Sequence, residues 1–121
     1  MGFASVGGTG PSDVWVTGHV LLPTVDALVE QAGHGAVRRF DGTSWSAVQS
    51  PTSASLGPVS AVSSSQVYVI ADEGQNESIW RYDGAGWVEL RLRAGNLFDL
   101  WGSSSGEVFA VGATGVVLRG P

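Results

Sequence analysis

Cysteine and lysine are both absent from the 121 residues. Without cysteine there are no disulfides, thiolate metal sites or cysteine nucleophiles, and the compartment stays undecided because cysteine-free proteins occur on both sides of a membrane. Without lysine, all six basic residues are arginine, set against eleven acidic ones for a formal charge of −5. That balance leaves no basic footprint, so neither nucleic acid nor a membrane surface is expected as a partner. No apolar run approaches the ~18 residues of a membrane span, and Met1-Gly2-Phe3-Ala4-Ser5 has no basic n-region. No export signal or anchor is therefore visible in this chain.

What is present is apolar and repetitive. Apolar residues make up 43% of the chain and charged ones only 14%, enough to bury an ordinary core in one domain. Residues 38–48 read RRFDGTSWSAV and residues 80–90 read WRYDGAGWVEL, which sets Asp41 on Asp83, Gly42 on Gly84 and Trp45 on Trp87. Each motif follows a short β-prone run, 37–40 or 79–82, and a third such run at 117–120 brings Arg39, Arg81 and Arg119 into register. Upstream lie DVWVTG (13–18), QVYVIA (66–71) and EVFAVG (107–112), each alternating large residues as half-buried strands do. Upstream again lie FASVGG (3–8), VSAVSS (59–64) and LFDLWGSS (97–104), turning through Gly and Ser.

The unit is thus strand A, a Gly/Ser turn, strand B, a variable loop, strand C ending in Arg-aromatic, an Asp-Gly turn, and strand D opening on Trp. Asp-Gly suits a hairpin because Gly accepts positive φ and Asp bonds to the backbone ahead of it. Four antiparallel strands in about 40–45 residues make one blade of a β-propeller. The expected fold is all-β, one partial propeller over 1–121 with about 2.75 blades: blade one 3–50, blade two 59–93 and blade three 97–121, the last lacking its outer strand.

A B strand ending near Gly, a C strand ending in Phe40-Asp41 or Tyr82-Asp83, and a Trp four residues beyond that Asp together resemble the kelch-type propeller repeat. They are most similar to the Gly-rich repeats with Tyr-Asp-Gly-x-x-Trp and Val-Trp-Ala-Val-Gly found in many bacterial proteins. In place of the kelch double glycine stand Thr17-Gly18, Ala71-Asp72 and Val111-Gly112. The resemblance implies a rigid disc whose loops bind proteins or glycans, with enzymes a minority, no cofactor, and longer relatives that are secreted.

An arc of three blades leaves two sheet faces open, each of roughly several hundred Å² of apolar surface, more than soluble monomers usually carry. Discs have roughly 4–8 blades, so two copies closing a six-bladed ring, as a two-fold self-complementary homodimer, is the expected solution. The alternatives are a larger assembly or a fragment of a longer propeller.

In a propeller the B–C and D–A loops share one rim, and the longest connection here is 18–36. Within it, Val25, Leu28 and Val29 fall at helical spacing before Gly33, so a short helix or a hairpin extension both fit. His19 and His34 flank it, with Asp26 and Glu30 inside, so a divalent-metal set can be drawn, although polar loop histidines are the plainer reading and no metal is expected. Asp72, Glu73 and Glu77 cluster in the second B–C loop and suit glycoside hydrolysis or Ca²⁺ on paper, a solvated acidic loop otherwise. Gly7-Gly8-Thr9-Gly10 lacks the Lys-Ser/Thr and helix of a phosphate loop, and the serines at 63–65 and 103–105 sit in no nucleophile elbow. No catalytic residue is assigned.

Trp45, Trp87 and Trp101 read as blade-packing residues, Trp101 being matched with Val6 and Val62; Trp15 shares a slot with Tyr68 and Phe109. Trp80, aligned with Arg38 and Leu118, is the one aromatic free to stack on a sugar or a partner. Arg39, Arg81 and Arg119 are expected to pair with Asp41 and Asp83 or to stack on Trp across the hairpin. The expectation is a non-catalytic module that self-assembles and presents a loop rim of His19, Asp26, Glu30, His34, Asp72, Glu73, Glu77 and Trp80 to a protein or glycan. The alternatives are a carbohydrate-active hydrolase or lyase and a purely structural propeller fragment.

Overall fold

The computed structural model describes residues 2–19, 35–52, 54–72, 77–94, 96–115 and 117–120. Sheet one runs β1 (Gly2–Gly10), β2 (Asp13–His19), β3 (Gly35–Phe40), β4 (Trp45–Val48); sheet two runs β5 (Ser55–Ser63), β6 (Gln66–Asp72), β7 (Glu77–Tyr82), β8 (Trp87–Ala94). Sheet three has β9 (Leu97–Gly102), β10 (Val108–Gly112) and β11 (Val117–Gly120), with a 3-10 turn at Ala113–Gly115 before the last strand. All pairing is antiparallel between sequence neighbours, so each sheet is a meander. The four-stranded unit read from the sequence is the unit that folds.

The two complete meanders close by the same turn. Asp41 Oδ1 accepts the amides of Thr43 (2.9 Å) and Ser44 (3.0 Å), and Asp83 Oδ1 accepts those of Ala85 and Gly86, both at 2.9 Å. Gly42 and Gly84 take φ of 101° and 98°, a region that costs an L side chain about 1–2 kcal/mol. Phe40 faces Trp45 and Tyr82 faces Trp87 immediately beyond the turn, which is why aromatic-Asp-Gly-x-x-Trp recurs.

The sheets stack face to face. On β6, Val67, Val69 and Ala71 join Trp15, Val37, Leu56 and Val59 in a core between sheets one and two. Tyr68 and Ile70, pointing the other way, join Ile79, Leu97, Leu100, Val108 and Ala110 between sheets two and three. Five consecutive residues of β6 are buried, the reading of a strand covered on both faces. The innermost strands β1, β5 and β9 lie side by side, and side chains stitch them: the Val59 amide donates to Ser5 Oγ (3.2 Å) and the Gly102 amide to Ser60 Oγ (3.2 Å).

One alignment read from the sequence is corrected. By ladder register, Val6, Val59 and Leu100 are equivalent, facing Val16, Val69 and Ala110, while Trp101 faces Phe109 as Gly7 faces Trp15 and Ser60 faces Tyr68. Trp101 therefore does not correspond to Val6 and Val62. The same number of residues separates Gly7, Ser60 and Trp101 from the B-strand aromatics Trp15, Tyr68 and Phe109, so the ladder follows a constant spacing rather than the likeness of apolar residue types.

Gly102 marks how tightly the sheets approach. A Cβ there would lie 2.4 Å and 2.5 Å from two ring carbons of the buried Tyr68. Gly102→Ala is expected to cost about 1–3 kcal/mol by overpacking, read as a lower denaturant midpoint. An unchanged midpoint would mean that the second seam is looser than described.

Candidate functional site

Sequence reasoning drew the binding rim from the B–C loops. Asp26, Glu30, His34 and Glu73, and the helical spacing at 25–29, lie outside the described residues. His19 ends β2 opposite Gly35, half-buried, with its ring over Gly2. Asp72 ends β6 opposite Glu77 and is exposed. Glu77 itself is buried, and its Oε1 accepts the Leu97 amide at the start of sheet three. It is a clamp between blades, not a group offered to a ligand. Among the described residues no three His, Asp or Glu side chains converge on a point.

Trp80 is also corrected. It packs on the core between sheets one and two, and its Nε1 donates to Ser78 Oγ at 3.0 Å. It is partly buried rather than free, with its ring packed on that seam. Its neighbour Trp87 lies on the same seam, donating Nε1 to the Gln49 carbonyl at 2.7 Å.

The opposite rim, formed by the A–B and C–D turns, holds the denser chemistry. Buried Asp13 accepts Thr9 Oγ1 (2.7 Å), Trp15 Nε1 (3.0 Å) and Arg39 Nε (2.8 Å), and the Arg39 guanidinium lies 5.9 Å over the Trp15 ring. Burial by itself raises the Asp13 pKa, but the donors Thr9, Arg39 and Trp15 outweigh it and hold the carboxyl below its ordinary value. Arg39 thus pairs with Asp13, not with Asp41, and stacks on the B-strand aromatic rather than on the hairpin Trp. Arg119 repeats this on blade three, pairing with Glu107 and lying 5.8 Å over Phe109. Sequence reasoning missed the acid, although Asp13, Gln66 and Glu107 stand at the same position, at or just before the start of a B strand and two residues before an aromatic. Gln66 uses it differently, bonding Tyr68 Oη and the Ser103 carbonyl at 3.0 Å each.

Between this ladder and blade two lies a groove of about 410 Å³. Tyr82 and Val48 form its apolar part, with the buried Trp15 in ring contact with Tyr82 at 5.4 Å, and Arg39, Ser46, Ser64 and Ser65 supply polar groups. An aromatic wall beside hydroxyls and a guanidinium suits an extended backbone segment, which needs donors, acceptors and apolar contact together. It holds no paired carboxylates and no nucleophile with a base.

No family model matches the chain, and no curated protein matches it. Among solved structures it is similar to "YCF48 bound to D1 peptide", with a TM-score of 0.67 at 12% identity over 97% of this chain. The fold is a β-propeller. The chain spans 36% of the length of that structure. The likeness carries architecture and nothing of the chemistry.

The turn carboxylates give a test of this rim. Backbone amides, of Ser44 then Thr43 for Asp41 and of Ala85 then Gly86 for Asp83, hold both pKa values below the ordinary range. Their contribution is full above the unfolded value of about 4 and is lost as pH falls through the lower folded value. The double variant Asp41→Asn, Asp83→Asn keeps the accepting oxygens but cannot titrate. Its stability, followed by urea midpoint, is expected to fall less steeply than the wild type's below about pH 4. Parallel curves would show that the turns do not carry the acid sensitivity.

Proposed function

We propose that this chain is a non-catalytic β-propeller module that binds an extended protein segment in the groove between blades one and two. The observation that carries the reading is that groove, where Tyr82, backed by the buried Trp15, stands beside Arg39, Ser46, Ser64 and Ser65. The similar propeller was solved with a peptide, which fits a protein ligand. A glycan is the weaker choice, because Trp80, the aromatic best suited to a sugar by sequence, is packed into a seam.

The long connection 18–36 supports a second reading, in which the B–C rim makes the contact, since long loops carry binding more often than short ones. Self-association belongs to either reading: Phe3, Val6 and Trp45 on blade one and Trp101, Val111 and Val117 on blade three are large apolar side chains left exposed.

Selection from a displayed peptide library, followed by binding measurements on the peptides recovered, separates the two sites. Ser65→Trp, an exposed position that fills the groove, is expected to weaken binding by at least about tenfold, the loss of ~1.4 kcal/mol. Removal of 20–34 is expected to leave it within about twofold. The reverse pattern moves the site to the loop rim, and turnover of a chromogenic glycoside panel that is lost in Asp72→Asn would replace the binding module with an enzyme.

A further inference from the structure

We infer that blade three of one copy seats on blade one of a second copy, head to tail, so that two chains close one ring. This rests on the self-association reading above and gives it its geometry.

The seam between blades one and two supplies the template. From blade one it uses Trp15 with Arg39 above it and Asp13 behind, and from blade two it uses Tyr82 against Trp87, with Trp15 meeting Tyr82 at 5.4 Å. Blade three's open face carries the first half of that seam: Phe109 with Arg119 above it at 5.8 Å and Glu107 paired to the arginine. Blade one's open face carries the second half: Phe40 against Trp45 at 5.1 Å, in the positions of Tyr82 and Trp87. Each face is the counterpart of the other, and neither is the counterpart of itself.

Size and charge agree. At the filled seams the A-strand residue opposite the B-strand aromatic is small, Gly7 or Ser60, and the next inner strand lies close upon it: a Cβ on Gly7 would come within 3.1 Å of the Val59 carbonyl oxygen. On blade three that residue is Trp101, 58% exposed, whose bulk would hold off an inner strand with ordinary side chains. Blade one's inner strand offers Gly8, in the position of the Gly102 that meets Ser60 in the second seam, beside an apolar groove of about 380 Å³ lined by Phe3, Val16, Arg38 and Trp45. Asp99 stands on the blade-three face beside the internally paired Glu107 and Arg119, and Arg38 stands on the blade-one face. Large meets small, and negative meets positive. Three blades from each copy give six, within the roughly 4–8 that close a disc, and a head-to-tail contact repeated by a two-fold rotation closes rather than polymerises.

Light scattering on eluted wild type, Trp45→Glu, Trp101→Glu and their mixture tests this, with circular dichroism to establish that each variant keeps its strands. Both substituted side chains are more than half exposed, so the blades do not need them to fold. Wild type is expected at twice the chain mass and each variant alone at the chain mass, because either change damages both contacts of the ring. Mixing the variants is expected to restore a one-to-one dimer, since one contact then joins two unaltered faces. A Trp101→Glu variant that stays dimeric, or a mixture that stays monomeric, overturns head-to-tail pairing while self-association stands. A monomeric wild type overturns both, and leaves the peptide-binding reading to its own measurement.

Discussion

A sheet that is apolar on both faces cannot stand alone, and this protein is built of such sheets. On β6 the alternation of Val67, Val69 and Ala71 with Tyr68 and Ile70 sends an apolar row into each neighbouring blade. Fully burying a large apolar side chain stabilises by about 1.5–3 kcal/mol, so these two seams dominate the energetics of the middle blade. Among the described residues the hydrogen bonds across them come from side chains: Ser5, Thr17, Ser60, Gln66, Glu77 and Trp87 each accept from or donate to the backbone of a neighbouring blade. They set the spacing and angle of packing that the apolar rows would otherwise leave loose.

The polar groups at the seam are handled by pairing. Asp13 is buried, yet its carboxylate has three donors, and one of them is the indole of the Trp that fills the seam. The same acid thus fixes the rotamer of Trp15 and the position of Arg39. This couples the core between the blades to the groove above it: the arginine that lines the groove is held by an acid belonging to the packing. Groove and core share one set of side chains.

Much of this architecture was legible in the chain. Period-2 alternation in 13–18, 66–71 and 107–112 identified strands, and the repeated Asp-Gly placed the hairpins, because both features are local and each residue type has a local reason. What the sequence hid is non-local. Residue type hides register: Trp101 was matched with the apolar Val6 and Val62, whereas the ladder sets it with the small Gly7 and Ser60. Trp80 looked free because the core it packs on is assembled from two sheets, and Glu77 looked like a rim carboxylate because the Leu97 amide is twenty residues away. Arg39 and Asp13, 26 residues apart in the chain, meet only because β2 and β3 are neighbours. Of the loop rim, only His19, Asp72, Glu77 and Trp80 lie among the described residues, and the latter two are packing residues.

The contacts that hold a blade are made with its immediate neighbours alone. The first seam draws on sheets one and two and the second on sheets two and three, with no residue shared between the two cores. Inheritance can act on such a molecule in units of one blade: a duplicated segment brings with it both a donor face and an acceptor face, already fitted to each other. The number of blades in a ring is then free to drift through duplication and loss, while the sequence of any single blade stays under the same selection.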